Sequence, residues 1–224
     1  MSSSVTIVAI SDTHGKHRSL DIPDGDILVH AGDLTSSGEL EQVEDFNALL
    51  KELPHRDKIV IAGNHDFCFE RRPEESAALL TNCTYLMERA VTVQGIVFYG
   101  SPWQPWFFDW AFNLQRGAEI KQKWDLIPDN TDVLITHGPP LGYGDLTARG
   151  ERVGCRDLLD AVARVRPRAH IFGHIHEAYG TWSDEHTDYI NPTSCDLSYQ
   201  PVNKPIVYEL KRLPSGSAVS EGFP

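Results

Sequence analysis

Five short apolar runs, at residues 5–10, 27–29, 58–62, 133–136 and 169–172, each stop at a cluster of oxygen- or nitrogen-bearing side chains. Asp12 and His14 follow the first, Gly32 and Asp33 the second, and Gly63, Asn64, His65 and Asp66 the third; His137 follows the fourth, and Gly173, His174 and His176 the fifth. The runs are nearly continuously apolar, the pattern of strands covered on both faces. Between the second and third, residues 39–53 carry Leu40, Val43, Phe46, Leu49 and Leu50 at helical spacing, with Ser36 and Ser37 as candidate caps. Residues 155–165 repeat the helical pattern and stop before Pro167. Residues 91–99, interrupted by Gln94 and Gly95, read as a tight hairpin, and 206–210 as a closing strand. The chain is therefore expected to be α/β with mixed sheets, its polar clusters at the C-terminal ends of strands, where open α/β sheets place their sites.

Asp12 and His14 are two apart, as are His174 and His176, and in extended chain that spacing puts both members of a pair on one side. Glycine precedes Asp33, Asn64 and His174, as suits backbone that turns sharply beside an ion. Carboxylate, amide and imidazole donors suit manganese, iron or zinc. The cysteines, Cys68, Cys83, Cys155 and Cys195, form no C-x-x-C pair, which argues against a structural zinc site and fits reduced thiols. A formal charge of -12 repels polyanions, so neither extended nucleic-acid binding nor membrane-surface binding is expected. Residues 1–11 lack the features of a signal peptide and no run is long enough to span a bilayer, so a cytoplasmic protein is expected. Residues 1–213 read as one domain and 214–224 as a frayed tail.

Asp12-x-His14, Gly32-Asp33, Gly63-Asn64-His65-Asp66, Thr136-His137 and Gly173-His174-x-His176 resemble, in order, the five motif blocks of the calcineurin-like metallophosphoesterases. Residues 28–35, 137–140 and 170–177 further resemble the small MPPED-type metallophosphoesterase-domain proteins. The resemblance implies a four-layer αββα sandwich, two mixed sheets flanked by helices, with a dinuclear site at the strand ends. It implies two divalent metal ions, manganese first and iron or zinc as alternatives. Asp12, His14 and His176 would hold one, Asn64, His137 and His174 the other, and Asp33 would bridge. His65 takes the general-acid position, and Asp66 that of the carboxylate orienting it. The implied activity is hydrolysis of small phosphodiesters, cyclic nucleotides among them, by a water that two cations about 3.5–4 Å apart acidify and aim at phosphorus. Asp33 is followed by Leu34, Thr35, Ser36 and Ser37, not by the phosphate-holding Arg of the Ser/Thr protein phosphatases. A phosphomonoesterase or phosphoprotein phosphatase, or a non-catalytic scaffold of the kind found in retromer, are the alternatives; the complete ligand set speaks against the scaffold.

His30 and His170 lie inside apolar runs and read as buried, hydrogen-bonded histidines. His17, on the first site loop, and Arg149, in a Gly-rich stretch with Arg152, are candidate substrate contacts, with solvated side chains as the plainer reading. Six aromatics, Trp103, Trp106, Phe107, Phe108, Trp110 and Phe112, are expected mostly to pack their own loop down; a lid that stacks on a base is the other reading.

Overall fold

The structure, a computed structural model, describes residues 4–212, so the expected tail at 214–224 lies outside the described residues. Along the chain, β1 (Ser4–Ile10) and β2 (Ile27–Ala31) precede α1 (Leu40–Glu52); β3 (Asp57–Ile61), α2 (Phe67–Arg71), α3 (Pro73–Leu79) and β4 (Thr84–Tyr85) follow. Next come β5 (Arg89–Val93), β6 (Ile96–Ser101), β7 (Gln104–Pro105), β8 (Asn113–Leu114), α4 (Ala118–Trp124) and β9 (Val133–Thr136). The chain continues through α5 (Arg156–Val165), β10 (Ala169–Ile171), β11 (Gly180–Ser183), β12 (Asp188–Asn191) and β13 (Ile206–Lys211).

One sheet has the order β13-β1-β2-β3-β4 and the other β11-β12-β10-β9-β6-β5. Both are mixed: β1, β2, β3 and β4 run parallel with β13 antiparallel at the edge, and β6, β9, β10 and β12 run parallel between antiparallel β5 and β11. Strand alternation assigns the layers. Ile7, Ala9, Val29 and Ile59 pack against Phe98, Val133, Ile135 and Ile171 between the sheets. Their neighbours Val8, Ile10, Leu28 and Val60 turn outward under Val43, Phe46 and Leu50 of α1. On the far side Tyr99, Leu134 and Tyr189 lie under Trp124, Leu158 and Val162 of α4 and α5. This is the four-layer αββα sandwich, and each fully buried large apolar side chain contributes about 1.5–3 kcal/mol of burial.

The hairpin turns at Gln94 and Gly95 with φ of 53° and 80°, the pair of positive values that matches strand twist. The expected helix caps are not made. Glu39 precedes α1 without a side-chain cap, and the Ser36 hydroxyl instead donates to the His14 carbonyl. Ser36 therefore ties the loop after β2 to the loop after β1, and it meets α1 through the Gln42 side chain, which accepts the Ser36 N–H (2.7 Å) and donates to its hydroxyl (3.3 Å). No helix among the described residues is long and apolar enough to cross a membrane.

His30 and His170 are fully buried and carry hydrogen bonds that position site loops. Gly32 N–H donates to His30 Nδ1 (3.2 Å), so His30 Nε2–H donates to Thr13 Oγ1 (3.0 Å). The Thr136 hydroxyl donates to the Gly138 carbonyl (2.8 Å) and accepts His170 Nε2–H (2.8 Å). Burial pushes both imidazoles down from 6.5 to about 3. The unfolded chain thus takes up a proton at each below pH 6.5 while the folded chain does not, so stability falls as pH drops from 6.5 toward 3. Each histidine contributes a slope of about 1.4 kcal/mol per pH unit within that window. Urea unfolding of the EDTA-treated protein at pH 7 and pH 5 is expected to show this loss, and His170→Gln a shallower one; identical pH dependence in both proteins would overturn the assignment.

Candidate metal centre

Five loops at the C-terminal ends of β1, β2, β3, β9 and β10 meet where the two sheets converge, and they bring together all seven expected ligand residues. Asp12, His14 and His176 offer donor atoms within 4.8 Å of one another, as do Asp12, Asp33 and His137. His137 Nε2 and His174 Nδ1 both point at Asn64 Oδ1, each at 2.7 Å. Asp33 Oδ2 lies between the two groups, 3.8 Å from His14 Nε2 and 3.4 Å from His137 Nε2. All seven side chains are buried or nearly so.

The donor set fits a pair of divalent cations. His14 Nε2 and His176 Nε2 face each other at 3.2 Å, and His14 Nδ1 is buried with no partner. Two ring nitrogens aimed at one point ask for a shared cation. His137 and His176 are oriented for this from behind, with Nδ1 against the carbonyls of Ala31 (3.0 Å) and Asp196 (2.9 Å), which leaves Nε2 for the centre. The pairs do not meet by strand alternation, as the sequence suggested. Asp12, His14, Asp33 and His174 have φ of 50°, 44°, 58° and 70°, so left-handed turns aim them. Such backbone costs about 1–3 kcal/mol per residue and clusters where function demands a geometry. Gly63 and Gly173 permit the close approach: a Cβ on either would clash with Asp33 Oδ1 or Asp12 Oδ2.

The sequence pattern of calcineurin-like phosphoesterases matches residues 5–178. The chain belongs to the calcineurin-like phosphoesterase family. It is 47% identical over 228 residues to the Homo sapiens metallophosphoesterase domain-containing protein 1, covering 91% of this chain and 70% of that protein. It is 42% identical to the UPF0046 protein C25E10.12 of Caenorhabditis elegans, covering 95% and 83%. The phosphopantetheinyl hydrolase of Mycobacterium tuberculosis shares the fold with a TM-score of 0.61 at 14% identity, over 96% of this chain and 98% of that one.

Within this phosphoesterase centre the charges compensate one another. Burial opposes ionisation of Asp12 and Asp33, but the imidazoles of His176 and His137 override it and hold both carboxyls below the usual range. Conversely, burial would lower His137 and His176, and the carboxylates of Asp33 and Asp12 hold them at about 9 instead. His174 is pushed down to about 3 by burial and by the charge of His137.

His65 sits beside this cluster, its backbone N–H donated to Asp33 Oδ1 (2.7 Å). Its Nδ1 lies 2.8 Å from the Ser36 carbonyl and donates to it, so Nε2 is the open nitrogen. Asp66 does not orient this ring. Its buried carboxylate accepts the N–H groups of Gly63, Leu34 and Thr35 and the Thr35 hydroxyl, clamping the loop after β2 to the loop after β3. Burial, then the charge of Asp33, pushes its carboxyl up to about 6.

Over Asp33, Asn64, His174 and His176 lies a cavity of about 200 Å³ whose remaining walls are His65, Phe107, Trp110, Leu197 and Tyr199. The packing reading holds for Phe112, which is buried, and for Trp103, whose indole N–H donates to Glu88 (2.9 Å). It fails for Trp106, Phe107 and Phe108, which are 53%, 52% and 70% exposed, and for Trp110, whose ring lies 4.0 Å from that of His65. Leu197 and Tyr199 escaped the sequence reading. Tyr199 stands edge-on to His14 at 4.7 Å, from a turn that nothing in its composition distinguishes. Two candidate contacts do not line the cavity over the ligands. His17 is buried and pairs with Asp45 at 2.9 Å against Phe46, and Arg149 is exposed on a loop whose residue 152 pairs with Asp145.

Because Asp33 stands between both donor groups, Asp33→Ala is expected to lower the occupancy of both metal positions, whereas His137→Ala chiefly empties one. Elemental analysis of the metal-saturated proteins checks this. One metal lost from each variant alike, or fewer than two in the parent, would sink the dinuclear arrangement.

Proposed function

We propose that this metal-dependent phosphoesterase is a phosphodiesterase acting on small phosphodiesters, with cyclic nucleotides first among them. The observation that carries the reading is the wall of the cavity. Apart from His65 and the ligands it is aromatic and aliphatic, and none of its described lining residues is Lys or Arg. A phosphomonoester brings nearly two negative charges and a diester one, so a cavity whose own walls add no cation to the ions its ligands would hold favours the diester. Apolar walls also suit a phosphorus that carries two organic arms. Manganese is our first choice of ion, with iron or zinc compatible with the same donors.

When bound, a pair of divalent ions supplies an acidified water and neutralises charge on the phosphoryl oxygens. The chain does the rest. Asp33 holds the two donor groups in register, and the carbonyls of Ala31 and Asp196 fix the imidazole tautomers behind it. Water adds to phosphorus, the bond to one ester oxygen breaks with its electron pair on that oxygen, and His65, doubly protonated with Nδ1–H kept on the Ser36 carbonyl, delivers its Nε2 proton there and regains one from the proton the water releases. A linear diester yields an alcohol and a monoester; a cyclic nucleotide yields one monoester that carries the freed hydroxyl. Ser36 holds the His65 ring at Nδ1 and Trp110 packs against its face, so the donor is aimed without a carboxylate partner. Asp66 contributes by fixing the loop that carries His65. We also place the protein in the cytoplasm, a reading supported by its four free cysteines.

Turnover of bis-p-nitrophenyl phosphate is expected to exceed that of p-nitrophenyl phosphate with added manganese. A strong preference for the monoester would move the assignment to a phosphomonoesterase. For the proton donor, His65→Ala should retain both metals and lose about 10²–10⁴-fold on a cyclic nucleotide, whose ribose alkoxide needs a proton. The loss on bis-p-nitrophenyl phosphate should be much smaller, since p-nitrophenolate departs unaided. Equal losses, or a lost metal, would make His65 a ligand or a positioning group.

A further inference from the structure

A second, largely apolar opening adjoins the one over the ligands. This cavity of about 320 Å³ joins the first along Phe107, His174 and Leu197. Its other walls include Trp106, Val153 and Ile175, with Arg116, Thr147 and Glu177 as the polar lining. Trp106 and Leu197 are 53% and 61% exposed, and Phe107 is 52% exposed, so three large apolar side chains converge on one mouth in water. They are held there. Trp106 N–H donates to the Leu114 carbonyl (2.8 Å), and the Asn113 side chain accepts the Phe107 N–H and donates to the Phe108 carbonyl (2.8 Å). The segment is thus pinned in the open position, with Phe108 at a φ of 50°. Apolar surface fixed in this way, next to a reaction centre, is the signature of a preformed binding site.

Resting on the phosphodiesterase reading, we propose that this slot receives the ester arm that stays on phosphorus, and that this arm is a flat, uncharged aromatic group with polar edge atoms. The slot has no lining residue in common with the surface around His14, Lys16, Ser36 and His65. The departing oxygen must lie at His65, so the retained arm takes the other side. The polar lining decides its chemistry. Arg116 donates to the carbonyls of Val153 (2.6 Å) and Gly154 (2.8 Å) and makes no ion pair among the described residues. Glu177 accepts the Ala148 N–H (2.7 Å) through one oxygen. An alkyl chain would desolvate both groups and satisfy neither. A charged arm would meet one of the two charges with the wrong sign. An aromatic ring with donors and acceptors on its edge stacks between the apolar walls and meets both.

Diesters that share p-nitrophenolate as leaving group and differ in the retained arm test this with the manganese-loaded protein: methyl, n-hexyl, phenyl and thymidin-5′-yl. The thymidinyl diester is expected to exceed the methyl diester in kcat/KM by about ten-fold or more, the scale of burying one ring, and the phenyl diester, which stacks but leaves Arg116 and Glu177 unmet, to lie between them. Trp106→Ala and the slot-filling Val153→Trp should each bring that ratio toward one. A methyl arm as good as the aromatic arms, a hexyl arm that matches them, or an unchanged ratio in both variants would overturn the proposal. Calorimetric binding of phenylphosphonate and methylphosphonate tests the slot independently of turnover. Phenylphosphonate should bind about ten-fold tighter to the parent and lose that advantage in Val153→Trp; equal binding overturns the slot. If p-nitrophenyl phosphate outpaces every diester while the phosphonate contrast holds, the diesterase reading fails and the slot stands.

Discussion

Two ionised carboxylates without solvent access, Asp12 and Asp33, are the constraint around which the rest of this molecule is arranged. Burying an ion costs several kcal/mol even after relaxation, and among the described residues no Lys or Arg pairs with either group. Imidazoles supply the compensation. His137 faces Asp33 at 3.4 Å and His176 faces Asp12 at 3.5 Å, each held well above its ordinary proton affinity. Because Asp12 and Asp33 follow strands of one sheet while His137 and His176 follow β9 and β10 of the other, these pairs also join the two halves of the sandwich. The site is therefore part of what sets the sheets against each other.

The same arrangement explains where the strain sits. Four of the seven ligand residues occupy left-handed backbone, a total that no loop would adopt for its own sake. What holds them is a lattice of backbone bonds between loops: Asp12 N–H to the Gly32 carbonyl at 2.9 Å, His14 N–H to the Asp33 carbonyl at 3.0 Å, and Gly173 N–H to the His137 carbonyl at 2.8 Å. Asp66 completes the lattice from below by collecting three backbone N–H groups. Its value lies in loop geometry, which is why it is buried beneath the site and does not reach the ring of its neighbour His65.

Much of this was legible in the sequence because parallel strands and metal ligands leave strong local marks. Apolar runs such as residues 133–136 cannot stay exposed, and a polar cluster directly after each run has few other uses. The two-sheet layering was implied by family resemblance and is visible afterwards in the alternation of Ile7 and Val8 between two cores. The rest was hidden for physical reasons. His17 follows the first motif in sequence, but a single short turn carries it behind the loop to Asp45. Leu197 and Tyr199 reach the cavity through the loop that follows β12, and no charge or periodicity marks a side chain that acts by shape. Trp106 and Phe107 have the composition of core residues; only the bonds from Asn113 and Leu114 show that the loop is held away from the core.

Charge at two length scales then shapes what the centre accepts. The chain carries a formal -12, which repels anions at a distance, but at physiological ionic strength that field decays over about 8 Å. Within that distance a substrate would meet the ions that the seven ligands hold when loaded and the uncharged Phe107, Trp110, Leu197 and Tyr199 above them, with Lys16, Arg116 and Glu177 on the adjoining surfaces. A polyanion must place its further charges beyond the reach of those cations and inside the repulsive field, whereas a small monoanion puts its single charge where it is neutralised. The aromatic rim adds attraction that does not depend on charge and is not weakened by salt. Under the phosphodiesterase reading proposed above, selection in such a site comes from shape and apolar contact around one phosphoryl group.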